Sequence, residues 1–204
     1  LHSGMDCMEH MGATNRYGYS RTITATGAGY QDVNGLFAAA KAMRTPTLFI
    51  ASALLGEDDA LARDPRITAL FPAWEYAKLT GRVSAMQKAD RAPLLASLQR
   101  QVDQIKQTMA LGGRVIAGTD APIDLVAISL HLNLRGMVRC GLTPLDALQT
   151  ATRNAGEFLD EPIGVVAPGK LADLILVAGD PLTDITAAAA VRTTICNGVV
   201  HTPD

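Results

Sequence analysis

Two residues carrying groups able to do chemistry stand where short apolar runs end and the backbone must turn. Asp120 closes Val115-Ile116-Ala117-Gly118-Thr119, and His10 closes Met5-Asp6-Cys7-Met8-Glu9. The first run lies between Gly112-Gly113 and Pro122. It is too short for a helix and is bounded by breakers, so it reads as a fully buried parallel strand. A carboxylate at the C-terminal end of such a strand sits where α/β folds place their chemistry. Taken alone, Gly-Thr-Asp has a second reading, an Asp that caps the following loop. The elements around it decide between the two.

The chain of 204 residues is 48% hydrophobic, ample for a sizeable core. Aromatic residues make up only 4%, so that core must be built from Ala, Leu, Val and Ile. Net charge is −2 and no block of Lys or Arg occurs, which argues against nucleic acid or an anionic membrane surface as the main partner. No apolar run approaches the roughly 20 residues needed to span a bilayer. The expected setting is therefore soluble, cytoplasmic or periplasmic, with the compartment left open. Cys7, Cys140 and Cys196 show no paired spacing, so neither a disulfide framework nor a cysteine zinc site is expected, and buried free thiols are. The opening Leu1-His2-Ser3-Gly4 has neither an initiator Met nor a signal pattern, and reads as cut from something longer.

In order along the chain, the strand ending at His10 is followed by a long loop rich in Gly, Thr, Ser and Tyr. From Gln31 to Met43 the residues Val33, Leu36, Phe37 and Ala40 recur at helical spacing. Thr45 to Ala51 is expected to be a second buried strand with Pro46 near its start. Gly56 to Ala92 reads as an insertion with one or two short helices, in which Trp74, the only Trp, either lines a pocket or packs a helix against the body, the second being the expected role. Pro93 starts a clear helix: Leu94, Leu98, Val102, Ile105 and Met109 form one face, with Arg100, Asp103, Gln104 and Lys106 facing away. Gly112-Gly113 ends it. A helix is expected from about Ala127 to Cys140. Thr143-Pro144-Leu145-Asp146 is a strong helix start, with Leu145, Leu148 and Ala151 as the buried stripe, and a short helix follows at Ala155 to Leu159. Ile163–Val166, Leu171–Val177 and Val191–Val200 are strand-like, and Asn197-Gly198 is a hairpin signal.

The succession Met8-Glu9-His10, Pro46-Thr47-Leu48 and Ala117-Gly118-Thr119-Asp120-Ala121-Pro122 resembles strands six, seven and eight of the amidohydrolase superfamily. The branch with imidazolonepropionase-like and Xaa-Pro-dipeptidase-like enzymes is the most similar. Three later stretches extend the resemblance: Gly141 to Leu148, Ala151-Thr152-Arg153-Asn154-Ala155, and Pro168-Gly169-Lys170-Leu171-Ala172-Asp173-Leu174. The resemblance implies an α/β fold: the C-terminal part of a (β/α)8 barrel, strands six to eight, over residues 1–160, then part of a small β-sandwich over 161–204. It implies that His10 binds a divalent metal, usually zinc, with one or two ions in the complete enzyme. It implies that Asp120 both binds metal and takes a proton from the attacking water. Neutral imidazole is a good zinc ligand, and a carboxylate beside that water can pass its proton to a leaving nitrogen.

The metal-binding histidines and lysine that the family carries on its first five strands have no counterpart here. His2 lies before the strand and His201 in the terminal β unit, so neither is a replacement ligand. His131 lies in Leu130-His131-Leu132-Asn133-Leu134, where relatives commonly carry His-x-Glu, and is read as a packing or hydrogen-bonding residue; Asn133 stands in place of the acid. Two readings follow. The first is the C-terminal portion of a metal-dependent hydrolase of C–N bonds in an amide, cyclic amide or dipeptide, partnered by the missing barrel portion or a second chain. The second is a non-catalytic remnant or interaction module without a complete metal centre.

Overall fold

The computed structural model describes residues 4–10 and 31–202. His2 and the loop expected after His10 lie outside the described residues. A parallel pair forms from β1 (Cys7–Glu9) and β2 (Met43–Thr45), joined through α1 (Gln31–Ala40), with Cys7 opposite Met43 and Glu9 opposite Thr45. The run expected to be the central strand joins through one parallel bridge, Arg44 to Val115. The Arg44 N–H donates to the Arg114 carbonyl at 3.2 Å, and the Ile116 N–H to the Arg44 carbonyl at 2.9 Å. β2 is therefore the middle of three parallel segments, and all three run toward the same edge.

The outer side of the Val115 segment is held by helices. Ala117 N–H donates to the Thr150 carbonyl at 2.9 Å, and the Asn154 side-chain amide donates to the Val115 carbonyl at 2.8 Å. These residues belong to α6 (Pro144–Ala151) and α7 (Arg153–Leu159), so this edge is partly satisfied within the chain.

The strand expected over Thr45–Ala51 is not what forms. β2 ends at Thr45, and Phe49–Gly56 is a 3₁₀ helix. Leu48, Ala51, Ala53, Leu54 and Leu55 are all buried, and a run apolar on every side cannot reveal its period. Pro46 has no N–H for a ladder, and Thr47 turns the chain with φ +42°.

The 3₁₀ helix is packed by α3 (Ala73–Lys88), α4 (Ala92–Ala110) and α5 (Ser129–Arg139). Leu98, Val102 and Ile105 of α4 are fully buried as expected, each contributing about 1.5–3 kcal/mol by leaving water. Gln104 does not face away: it is buried, and its Oε1 accepts from Asn34 Nδ2 at 2.7 Å. The insertion holds α2 (Pro65–Leu70) and the long α3 rather than short helices alone. Leu79 and Val83 carry the inner face of α3, leaving Trp74 outside at 63% exposure with Lys78 Nζ 4.5 Å above its ring. The packing role expected of Trp74 is thus filled by aliphatic side chains. In α6 the Thr143 cap is present, its hydroxyl accepting from Asp146 N–H at 3.1 Å, but the buried stripe is Ala147 and Thr150 while Leu145 is exposed. Of the three free thiols only Cys140 is buried; Cys7 is half-buried and Cys196 exposed.

The C-terminal residues form an antiparallel sheet of β3 (Leu174–Val177), β4 (Val191–Cys196) and β5 (Val199–His201), in that order. Asn197 and Gly198 both take positive φ, +48° and +80°, as a two-residue hairpin turn of matching twist requires. Ile163–Val166, expected as a strand, is irregular. Arg66 fastens α2 to this unit, donating to the carbonyls of Ala189 at 2.9 Å and Val191 at 3.3 Å while paired with Asp64.

Candidate functional site

Each of the three parallel segments leaves the sheet through a non-glycine residue in the left-handed region: His10 at φ +61°, Thr47 at +42° and Asp120 at +53°. For a β-branched residue such as Thr47 this is a genuine outlier, and such conformations persist where the surroundings over-determine them. The His10 N–H donates to the Thr45 carbonyl at 2.7 Å, tying the end of β1 to the end of β2. The Asp120 carbonyl accepts from Ile123 N–H at 2.9 Å, closing a turn directly after the carboxylate.

This common edge brings His10 and Asp120 together. His10 Nε2 and Asp120 Oδ2 are 3.3 Å apart, with the side chains 43% and 36% exposed. The Phe49 ring lies 5.7 Å from the His10 ring at an interplanar angle of 57°. The pair opens on a cleft of about 450 Å³ whose lining includes Glu9, Thr45, Thr47, Thr119, Phe158 and Leu159. Gly118 is required here, because a Cβ on it would fall inside the Thr45 Cγ2 methyl.

The two donors suit a divalent metal in type and spacing. Ligands about 2.1 Å from a tetrahedral ion stand roughly 3.4 Å from one another, close to the observed separation. Among the described residues no group of three His, Cys, Asp or Glu side chains converges on one point.

The other described histidines, His131 and His201, do not join them. His131 on α5 is half-buried; burial, with Arg135 and Arg66 nearby, pushes its imidazole pKa down. His201 is exposed on β5. Asp124, one turn beyond Asp120, has its carboxyl pushed up by burial, against the hydrogen bonds it receives from Leu125 N–H and the Ser129 side chain.

Sequence reasoning passed over Thr47, Phe49 and the part played by Asn133. Asn133 is buried, its Oδ1 accepting from Leu48 N–H at 2.7 Å and its Nδ2 donating to the Ser129 carbonyl at 2.8 Å. A donor and an acceptor on one short side chain answer two opposite backbone groups at once, which a glutamate cannot do while ionised. A polar residue amid Leu132 and Leu134 was the available signal.

The sequence profile of the Amidohydrolase family matches residues 3–200, and the chain belongs to that family. Among solved structures it is similar to a Xaa-Pro dipeptidase with bound methionine, at 21% identity and TM-score 0.60, covering 99% of this chain and 41% of that one. It is likewise similar to a prolidase complexed with N-methylphosphonate-L-proline, at 19% identity and TM-score 0.60, covering 100% and 41%. Ochratoxinase of A. niger gives 20% identity and TM-score 0.54, covering 100% and 39%. The chain thus spans about two fifths of the length of these structures, with which it shares an α/β fold. No curated protein matches it. No helix among the described residues is long and apolar enough to cross a membrane.

Proposed function

We propose that this chain carries the final three strands, six to eight, of a metal-dependent amidohydrolase barrel over residues 1–160 and part of a β-sandwich over 161–204. In this reading it acts in hydrolysis of the C–N bond of an amide, cyclic amide or dipeptide. The observation that carries the reading is the 3.3 Å approach of His10 Nε2 and Asp120 Oδ2 across the ends of parallel segments. His10 and Asp120 would hold the metal, zinc being the first candidate. When bound, a divalent cation supplies Lewis acidity and makes hydroxide available near neutral pH. The Asp120 carboxylate accepts the proton of the attacking water at an Oδ and delivers it to the leaving nitrogen. His10 is held for its task from two sides, by the backbone bond to Thr45 and by the Phe49 ring. Thr45, Thr47 and Thr119 offer hydroxyls to a small polar substrate, and Phe158 and Leu159 an apolar wall. The methionine and proline-phosphonate bound by two structurally similar proteins support a substrate of amino-acid or dipeptide size.

The remaining metal ligands would come from a complementary barrel portion: the rest of the same polypeptide, a separate N-terminal fragment, or a second copy of this chain. The test is hydrolysis of a panel of dipeptides and cyclic amides by the complemented, zinc-loaded protein. Asp120→Asn should lower kcat by about 10²–10⁴. Turnover unchanged in Asp120→Asn would remove the assignment. The second reading, a non-catalytic remnant, is favoured by the two-donor shell; no turnover and no retained zinc after complementation would establish it.

A further inference from the structure

We propose that Asn133 is a positioning residue for His10, acting through the Thr47-Leu48-Phe49 corner. The metal-binding consequence rests on the function proposed above, whereas the positioning itself does not.

The corner is a place the chain would not choose. Thr47, a β-branched residue, stands at φ +42°, and Phe49 N–H donates back to the Thr47 carbonyl at 2.8 Å. Holding a residue in such a region costs on the order of 1–3 kcal/mol and needs an external clamp. Pro46, just before it, cannot donate to a neighbouring strand. The clamp is the next amide: Leu48 N–H, fully buried, is taken at 2.7 Å by Asn133 Oδ1. Asn133 cannot swing away, because its Nδ2 is bound one turn back to the Ser129 carbonyl of its own helix. α5 thereby fixes the point from which the 3₁₀ helix starts, and Phe49 is the first residue of that helix.

Phe49 lies with its ring 5.7 Å from His10, in the tilted arrangement that aromatic pairs favour. His10 is itself at a left-handed exit, its backbone held at Thr45 among the described residues, so its ring direction depends on what stands beside it. Partners that orient a metal-binding imidazole typically change metal affinity by 10–100-fold when removed. Here that office is performed at one remove, from a helix that contributes no residue to the cleft lining.

The test is carried out on the 204-residue chain by NMR of histidine ring protons. Among the described residues His10 is the only histidine in a ring–ring contact, so its resonances carry a ring-current shift that those of exposed His201 lack. Phe49→Leu defines the position of the His10 resonances without the ring. Asn133→Leu, which removes both side-chain bonds at similar size, should move the His10 resonances toward that position and leave those of His201 in place. Asn133→Asp keeps an oxygen for Leu48 N–H and should retain the parental His10 shift even where stability falls. A folded Asn133→Leu with parental His10 resonances overturns the proposal. Where Asn133→Leu does not fold, Asn133→Asp decides alone: a His10 shift matching Phe49→Leu overturns it.

Zinc affinity, read by competition with a chromophoric chelator, should fall at least about tenfold in Phe49→Leu and Asn133→Leu alike. No zinc binding by the unmutated chain once it is complemented with the remaining barrel portion, with the His10 shifts behaving as described, would sink the proposed function and leave the positioning role standing.

Discussion

Gly118→Ala is the sharpest perturbation the site offers. The new Cβ would fall inside Thr45 Cγ2, and it would stand 3.7 Å from Thr45 Cβ and from Thr47 Oγ1. Thr45 is only 7% exposed, and its Oγ1 is 3.3 Å from Cys7 Sγ, so rotating the methyl aside breaks that contact within the β1–β2 pair. The alternative is to push the Asp120 segment away from β2 by about 1 Å or more. Overpacking of this kind costs about 1–3 kcal/mol. The displacement falls on the segment that must bring Asp120 within 3.3 Å of His10, so the loss in metal affinity should exceed the loss in stability. Urea unfolding followed by circular dichroism gives the first quantity, and chelator competition with zinc the second. Thr45→Ser keeps the hydroxyl and deletes the offending methyl, so the double variant should recover most of both. Gly81→Ala, in the middle of α3 with nothing within 4 Å of its Cβ, should instead gain about 0.5–1 kcal/mol. A Gly118→Ala protein of parental stability and zinc affinity, or one that Thr45→Ser fails to rescue, would refute the reasoning.

Arg66 lowers the pKa of Asp64 through their hydrogen bond, so the stability this pair contributes is present above about pH 4 and is lost as pH falls through the depressed value. Because Arg66 is 44% exposed, Arg66→Met should cost no more than about 1 kcal/mol from the pair, with the lost carbonyl bonds in addition, and its deficit in urea midpoint should shrink between pH 7 and pH 3. Arg44 is fully buried, and burial pushes its guanidinium pKa down to about 10, a penalty of about 3 kcal/mol on the charged form that persists at every pH below that value. It is offset by the bond to Asn34 Oδ1 at 2.7 Å and by the Phe37 ring 4.9 Å away, together worth about 2–4 kcal/mol. Arg44→Met should therefore leave the unfolding free energy within about 1 kcal/mol of the unmutated chain, against the 2–5 usual for truncating a large buried side chain.

What was legible in the sequence follows from where each signal originates. The helices were readable because their information is local: the α4 stripe of Leu98, Val102 and Ile105, and the Thr143-Pro144 cap, need no partner to be recognised. The Asn197-Gly198 hairpin was readable for the same reason. The strand expected at Thr45–Ala51 was not, because the turn at Thr47 that follows β2 is held from far along the chain, where Asn133 Oδ1 accepts from Leu48 N–H. Trp74 misled because helical spacing alone does not say which large side chain faces inward when Leu79 and Val83 share the helix. Of the site, His10 and Asp120 were visible as strand-end residues and do meet; Thr47 and Phe49 were hidden, since a left-handed threonine leaves no mark in composition or period.

The Asn197-Gly198 turn also sets how the molecule ages. An asparagine followed by glycine is the pairing most open to deamidation, since no Cβ hinders attack of the glycine nitrogen on the side-chain amide carbon. Both residues are exposed, yet the attacking nitrogen is engaged: Gly198 N–H donates to the Ala172 carbonyl at 3.0 Å, and Asn197 N–H to Asp173 Oδ1 at 2.6 Å. The folded hairpin thus shelters a bond that the unfolded chain leaves open to reaction. Each opening of β4 and β5 is an opportunity for an irreversible change that adds a negative charge. Where isoaspartate forms, an extra methylene enters the backbone of the turn between β4 and β5. Isoaspartate accumulating at Asn197 would be a chemical clock for how often this sheet comes apart.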